Sequence, residues 1–141
     1  MVQDLRELLE YSTIGILGIM GFVALFLTIE RVLFYKMVKI ENYQKRELLE
    51  IDLTKNLTLI STIASISPYI GLLGTIFGIM ITFLKISSNG SLDTQSIMLG
   101  LALALKVTAI GLFVAIPTMF FYNLLGRKVE VLLGFWDARL K

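Results

Sequence analysis

Thr75 and Thr108 are the side chains in this sequence best placed to do chemistry in an apolar setting. Each lies inside a long apolar run. Each hydroxyl can donate and accept a hydrogen bond but holds no charge at neutral pH. Such groups can contact a proton carrier or a water, yet they cannot store the proton. The acids Asp4, Glu7, Glu10, Glu30, Glu41, Glu47, Glu50, Asp52, Asp93, Glu130 and Asp137 all avoid the middle of the apolar runs. Proton pumps and coupled transporters ordinarily keep an ionisable group at membrane depth. A proton path through this chain would therefore need a carboxylate from a partner.

Three other charges mark boundaries. Lys106 lies about nine residues into the third apolar run and points away from Thr108. It can snorkel its ammonium to the outer interface, or meet a lipid headgroup, a subunit-interface acid or an acidic partner. Glu30 and Arg31 close the first run. Neighbours on a helix do not face one way, so this pair reads as an interfacial anchor that can also touch neighbouring chains. With His 0 and Cys 0, there is no imidazole base, thiolate nucleophile or usual zinc set. No nucleophile–base pair is present, which argues against an enzyme. Neither a metal nor a cofactor is expected, and a net charge of +2 gives no reason to expect nucleic acid as a partner.

The elements that hold these residues follow from composition. The 141 residues are 56% hydrophobic, with a mean hydropathy of +0.80. A soluble domain of this size cannot hide that much apolar surface. The reading is an all-α integral membrane protein with three transmembrane helices, since a lone strand would leave backbone groups unpaired in lipid. Residues 1–12 form an amphipathic interfacial helix through Val2, Leu5, Leu8 and Leu9. The spans are 13–36, 57–85 and 97–125, each long enough for ~30 Å of hydrocarbon. Residues 37–56 are a short polar segment, and 86–96 hold a tight turn at Ser87-Ser88-Asn89-Gly90, with Asp93 or Thr94 as N-cap of the third span. Residues 126–141 continue as a helical tail through Val129, Leu132, Leu133 and Trp136.

Orientation follows from charge. Arg31, Lys36, Lys39, Lys45, Arg46, Lys55, Arg127, Lys128, Arg139 and Lys141 fall on one side, and Arg6 and Lys85 on the other. This bias places segment 37–56 and the C-terminus in the cytoplasm, with the N-terminus and the 86–96 turn on the outward, periplasmic side.

Small residues form stripes. Span two carries Ser67, Gly71, Gly74, Thr75, Gly78 and Thr82; span three carries Ala104, Thr108, Gly111, Ala115, Thr118 and Tyr122. Such stripes permit close helix packing in lipid. They can pack against each other, or line a pore or a socket for a partner helix. Two stripes on one hairpin favour oligomerisation or a bound helix. Pro68 and Pro117 lie inside the spans, where each removes a helix hydrogen bond and can kink its helix.

Two runs carry a resemblance. Residues 68–80 read PYIGLLGTIFGIM; residues 105–117 read LKVTAIGLFVAIP, followed by Tyr122-Asn123. Together they resemble the MotA/TolQ/ExbB proton-channel family, and its ExbB branch most closely. The resemblance implies a ring-forming homopentamer in the bacterial inner membrane. Spans two and three would line a cavity holding the single-span helices of an ExbD-like partner, which brings the titrating acid to Thr75 and Thr108. The assembly would use the proton-motive force to drive a TonB-like protein, energising outer-membrane uptake of iron complexes and vitamin B12. Several members carry Glu where this chain has Leu103, so a path through that Glu is not available here. A TolQ-like role in envelope integrity and a non-conducting scaffold are the alternatives.

Overall fold

The computed structural model describes residues 2–90 and 93–139. Met1, Ser91, Leu92, Leu140 and Lys141, which enter the expected first helix, turn and basic tail, lie outside the described residues. The chain is helical. α1 spans Val2–Met37 and α2 spans Arg46–Leu53. α3 spans Leu57–Asn89 and α4 spans Thr94–Arg139. A single 3-10 turn, Ile40–Asn42, precedes α2. α1, α3 and α4 are each long and apolar enough to cross a membrane.

The exposed surface is apolar where a soluble protein would be polar. Phe22, Phe26, Phe113 and Phe120 all point outward. That surface is at rest against lipid tails or other helices, not water.

α1 runs unbroken from residue 2, so the expected interfacial helix and first span are one rod. No Pro or Gly-rich stretch separates them. α3 continues through Ser87 and Ser88 to Asn89, past the start expected for the turn. The reversal comes at Gly90, which takes φ +66° and donates its N–H to Ile86 O at 3.1 Å. Serine tolerates helix, whereas the left-handed cap suits glycine. Asp93 opens α4, accepting from the Ser96 hydroxyl at 2.6 Å and the Gln95 N–H at 3.2 Å. Those bonds, Ser96 first, hold its carboxyl below the usual carboxylate range. This stabilisation of the helix start is present above the ordinary carboxylate pKa and lost as pH falls through the lowered one.

Both prolines sit inside continuous helices. α4 also runs straight through Gly126, which has open space around it, and so extends well past the bilayer-spanning portion. Its extension forms a core with the chain that follows α1. Leu49 and Leu53 of α2 pack with Tyr35, Leu57, Ile60, Leu125, Val129, Leu133 and Trp136. The segment 37–56 is therefore not a simple polar linker. Leu49 and Leu53, four apart, give α2 one apolar edge that docks on the tail.

α1 fastens α2 by its C-terminus. Arg31 Nη1 donates to Asp52 O at 2.7 Å, and the Tyr35 hydroxyl donates to Leu53 O at 2.5 Å. The last carbonyls of a helix lack intrahelical donors, so these two side chains satisfy groups that would otherwise be orphaned in a packed core. Asn56, at φ +68°, then turns the chain into α3.

Candidate functional site

The most extensive helix contact is between α3 and α4, and the two small stripes form it. They meet each other within the same hairpin. A Cβ on Gly71 would lie 3.1 Å from Thr108 Cα and 3.1 Å from Val107 O. One on Gly111 would lie 2.8 Å from Ser67 O and 3.1 Å from Gly71 Cα. On Gly78 it would meet Ala104 Cβ at 2.8 Å, and on Gly74 the Val107 Cγ1 at 2.5 Å. At Gly71 and Gly111 glycine is needed because backbone faces backbone, and at Gly74 and Gly78 because a Cβ would strike the side chains of Val107 and Ala104; such close approach favours helix association in lipid. Ala104, Gly111 and Ala115 are all buried.

Thr75 and Thr108 stand opposite one another at this crossing. Thr75 is buried, Thr108 half-buried, and their hydroxyls are hydrogen-bonded to each other. The Thr75 hydroxyl is also 3.0 Å from Ala104 O and 3.2 Å from Gly71 O. The Thr108 hydroxyl is 3.2 Å from Gly71 O. Each hydroxyl has one proton and two lone pairs. The pair thus has two good arrangements: Thr108 donates to Thr75, which donates to Ala104 O, or Thr75 donates to Thr108, which donates to Gly71 O. Reversing both protons exchanges them without an unpaired group. The chemistry available is a switchable hydrogen-bond pair, able to reorient toward a donor or acceptor arriving on the open side of Thr108.

Beside Gly74 and Ala104 of the same crossing lies a polar cluster that the sequence did not reveal. Arg6, Glu10 and Thr13 of α1 line a hollow of about 20 Å³ together with Gly74, Leu103 and Val107. Arg6 Nη2 donates to Gly100 O at 2.7 Å. Gly100 leaves room for this, because a Cβ there would meet Thr82 Oγ1 at 2.5 Å and Arg6 Nη2 at 3.2 Å. The signal was present: Arg6, Glu10 and Thr13 follow the i, i+4, i+7 spacing of one helix face. What the spacing could not show is that this face turns toward α4.

Lys106 finds its partner in this cluster. Its Nζ lies 3.2 Å from Glu10 Oε1, with the Glu10 side chain 17% exposed and that of Lys106 54% exposed. The charge is paired inside the chain. Glu10 of α1 is thereby a carboxylate with its counter-charge in place, the Lys106 ammonium two residues along α4 from Thr108. With one end this exposed the pair contributes little, up to about 1 kcal/mol. Lys106→Gln is expected to shift thermal unfolding in detergent only slightly. Lys106→Glu lowers it further through like-charge contact, and adding Glu10→Lys restores it; failure of the double variant to recover would exclude the pairing.

Glu30 and Arg31 depart from the reading that neighbours look apart. Arg31 donates twice to Glu30, Nε to Oε2 at 2.6 Å and Nη2 to Oε1 at 2.7 Å. The long guanidinium arm folds back along the helix, and Arg31 ends 2% exposed with Phe34 4.4 Å from its guanidinium carbon. It is a packed structural group whose Nε, Nη1 and Nη2 each donate one hydrogen bond, two to Glu30 and one to Asp52 O, while Glu30 stays partly exposed.

Among the described residues, no group of three or more His, Cys, Asp or Glu is placed to hold a metal ion.

Comparison with known proteins identifies the family. Residues 27–138 match the family described as the MotA/TolQ/ExbB proton channel family. The biopolymer transport protein ExbB of Aquifex aeolicus is 49% identical over 138 residues, covering 98% of this chain and 93% of that protein. A putative biopolymer transport protein, ExbB-like 2, of Helicobacter pylori is 47% identical over 133 residues, covering 94% of this chain and 89% of that one. The Tol-Pal system protein TolQ of Haemophilus influenzae is 44% identical over 81 residues, covering 57% of this chain and 36% of that one. With three membrane-length helices, a hydroxyl pair at the glycine-packed crossing of two of them, and a match over most of its length, this chain belongs to the MotA/TolQ/ExbB proton channel family.

Proposed function

We propose that this chain is the ring-forming subunit of a proton-driven motor in the bacterial inner membrane, with its basic end in the cytoplasm. In this reading it assembles as a homopentamer. An ExbD-like single-span partner inside the ring brings the titrating carboxyl, and a TonB-like protein carries the resulting force to outer-membrane transporters of iron complexes and vitamin B12. It is not an enzyme in this reading and needs no cofactor.

The observation that carries the proposal is the Thr75–Thr108 pair. It is a reorientable proton donor and acceptor held on long helices, in a chain whose spans carry no carboxylate midway and whose Glu10 is already paired with Lys106. The pair can serve a passing proton but cannot hold one, so the acid comes in trans. Identity near one half over almost the full length of an ExbB favours this role over a TolQ-like one.

In a host lacking this chain, Thr75→Val and Thr108→Val each remove one hydroxyl while keeping its shape. Each is expected to lower proton-driven uptake of an iron complex on the order of tenfold, equivalent to ~1.4 kcal/mol on the coupled step. The double variant should reach the background. Assembly of the complex should be intact, since helix packing at the glycines is untouched. Uptake unchanged in the double variant would favour a scaffold, and normal uptake with loss of envelope integrity would favour the TolQ-like role.

A further inference from the structure

α1 and α4 part along one side, leaving a cleft that runs to the basic end of the bundle. Its inner part is a hollow of about 250 Å³ walled by Gly21, Ala24 and Thr28 of α1 and by Val114, Pro117 and Thr118 of α4. Further along the same two helix faces lies a second hollow of about 200 Å³, with Tyr35 and Leu125 in its wall and Lys36 and Lys128 at its mouth. The helical spacing from Gly21 to Lys36, and from Phe113 to Lys128, keeps both hollows on one seam.

We propose that this cleft binds an anionic phospholipid, its acyl chain along the Gly21–Pro117 seam and its phosphate between Lys36 and Lys128. Four observations converge. First, the wall is apolar in effect despite its hydroxyls: Thr28 donates to Ala24 O and Thr118 to Val114 O, both at 2.7 Å, and Tyr35 donates to Leu53 O. All three hydroxyl protons are thereby committed to backbone carbonyls, and the surface that lines both hollows is mostly apolar. Second, both lysines are exposed, and among the described residues neither takes part in a resolved ion pair. A phosphate would complement them, and basic pockets between membrane helices are where acidic headgroups bind. Third, each side of the seam is about fifteen residues long, roughly 22 Å. That equals half of a bilayer of ~40–45 Å with its headgroups, the length of one lipid. Fourth, a sister helix pressed into the cleft would trap two unmatched ammonium groups at an apolar interface, which is costly.

The test uses the assembled complex in nanodiscs of equal phosphatidylglycerol and phosphatidylcholine, released for native mass spectrometry. The wild type should retain phosphatidylglycerol with a preference on the order of tenfold, as two lysines beside a charged headgroup supply. Lys36→Gln with Lys128→Gln should bring the preference to within about twofold, while Lys39→Gln with Lys45→Gln should leave it unchanged. Gly21→Leu, which fills the seam against Val114, should reduce retention of both lipids. Equal loss of preference in both lysine pairs would mean generic surface attraction and overturn the site. Absence of retained lipid from the wild type would also overturn it, and would assign the cleft to a neighbouring subunit.

Discussion

Gly111→Val is expected to prevent α3 and α4 from closing at their crossing and to abolish a stable complex. A first side-chain carbon there would sit 2.8 Å from Ser67 O and 3.1 Å from Gly71 Cα. Both neighbours are backbone, which cannot rotate away as a side chain can. The helices must separate, and separation loses the close contact along the whole stripe, including the Thr75–Thr108 bond. Overpacking at a site with yielding neighbours costs ~1–3 kcal/mol; here the cost should lie at or above the top of that range. The measurement is the fraction of monodisperse complex in detergent, with its thermal unfolding midpoint. Gly126→Ala is the control: it has nothing within 4 Å, so it should be neutral or gain up to ~1 kcal/mol of helix propensity. A Gly111→Val complex as stable as the wild type would exclude the backbone-to-backbone crossing.

Arg31→Ala has the second large effect, and it acts at the opposite end of the bundle. Arg31 is 2% exposed and satisfies Asp52 O at the C-terminal end of α2. Its loss leaves that carbonyl without its charged donor, removes both bonds to Glu30 and empties the space beside the Phe34 ring. Glu30 is 39% exposed and can recover water, so the ion pair itself counts for little. The unsatisfied carbonyl and the lost packing dominate, at about 2–3 kcal/mol together. The consequence is local: α2 should detach from α1 before the spans separate. Limited trypsin digestion reads this directly, because Lys39, Lys45 and Arg46 flank the start of α2, and cleavage there should accelerate severalfold. Arg31→Lys should rescue only in part, since an ammonium can donate to Asp52 O but cannot replace the planar guanidinium packed on the Phe34 ring. An unchanged digestion rate in Arg31→Ala would remove Arg31 as the fastener of α2.

The three spans announce themselves by length and apolarity, and only a helix satisfies its own backbone in lipid. The position of Thr75 and Thr108 within the small stripes follows from helical spacing alone. So does the apolar edge of the tail, where Val129, Leu133 and Trp136 enter the core. Each of these depends on residues close in sequence, where a fixed rise and turn per residue decide which side chains share a face.

The remaining features rest on contacts between segments far apart. The stripes were legible, but whether they face each other or a foreign helix was not, because periodicity marks a face without naming what covers it. Lys106 had three candidate partners, and the choice of Glu10 depended on how α1 lies across α4. The adjacency rule separated Glu30 from Arg31, yet a guanidinium on a long flexible stem reached back once α2 offered it a carbonyl to hold. α2 itself was hidden in a polar stretch, its Leu49 and Leu53 informative only beside the α4 extension that buries them.

The sequence by itself determined that the chain is helical, carries three helices long and apolar enough to cross a membrane, and presents two hydroxyls in a glycine-rich setting. Those outcomes are dictated by local geometry and by the cost of an unpaired backbone in hydrocarbon. Tertiary structure alone decided that the two hydroxyls meet, that the basic end is a packed core, and that α1 and α4 leave a lysine-mouthed cleft. Those depend on the relative placement of rods, which no periodicity within one rod encodes.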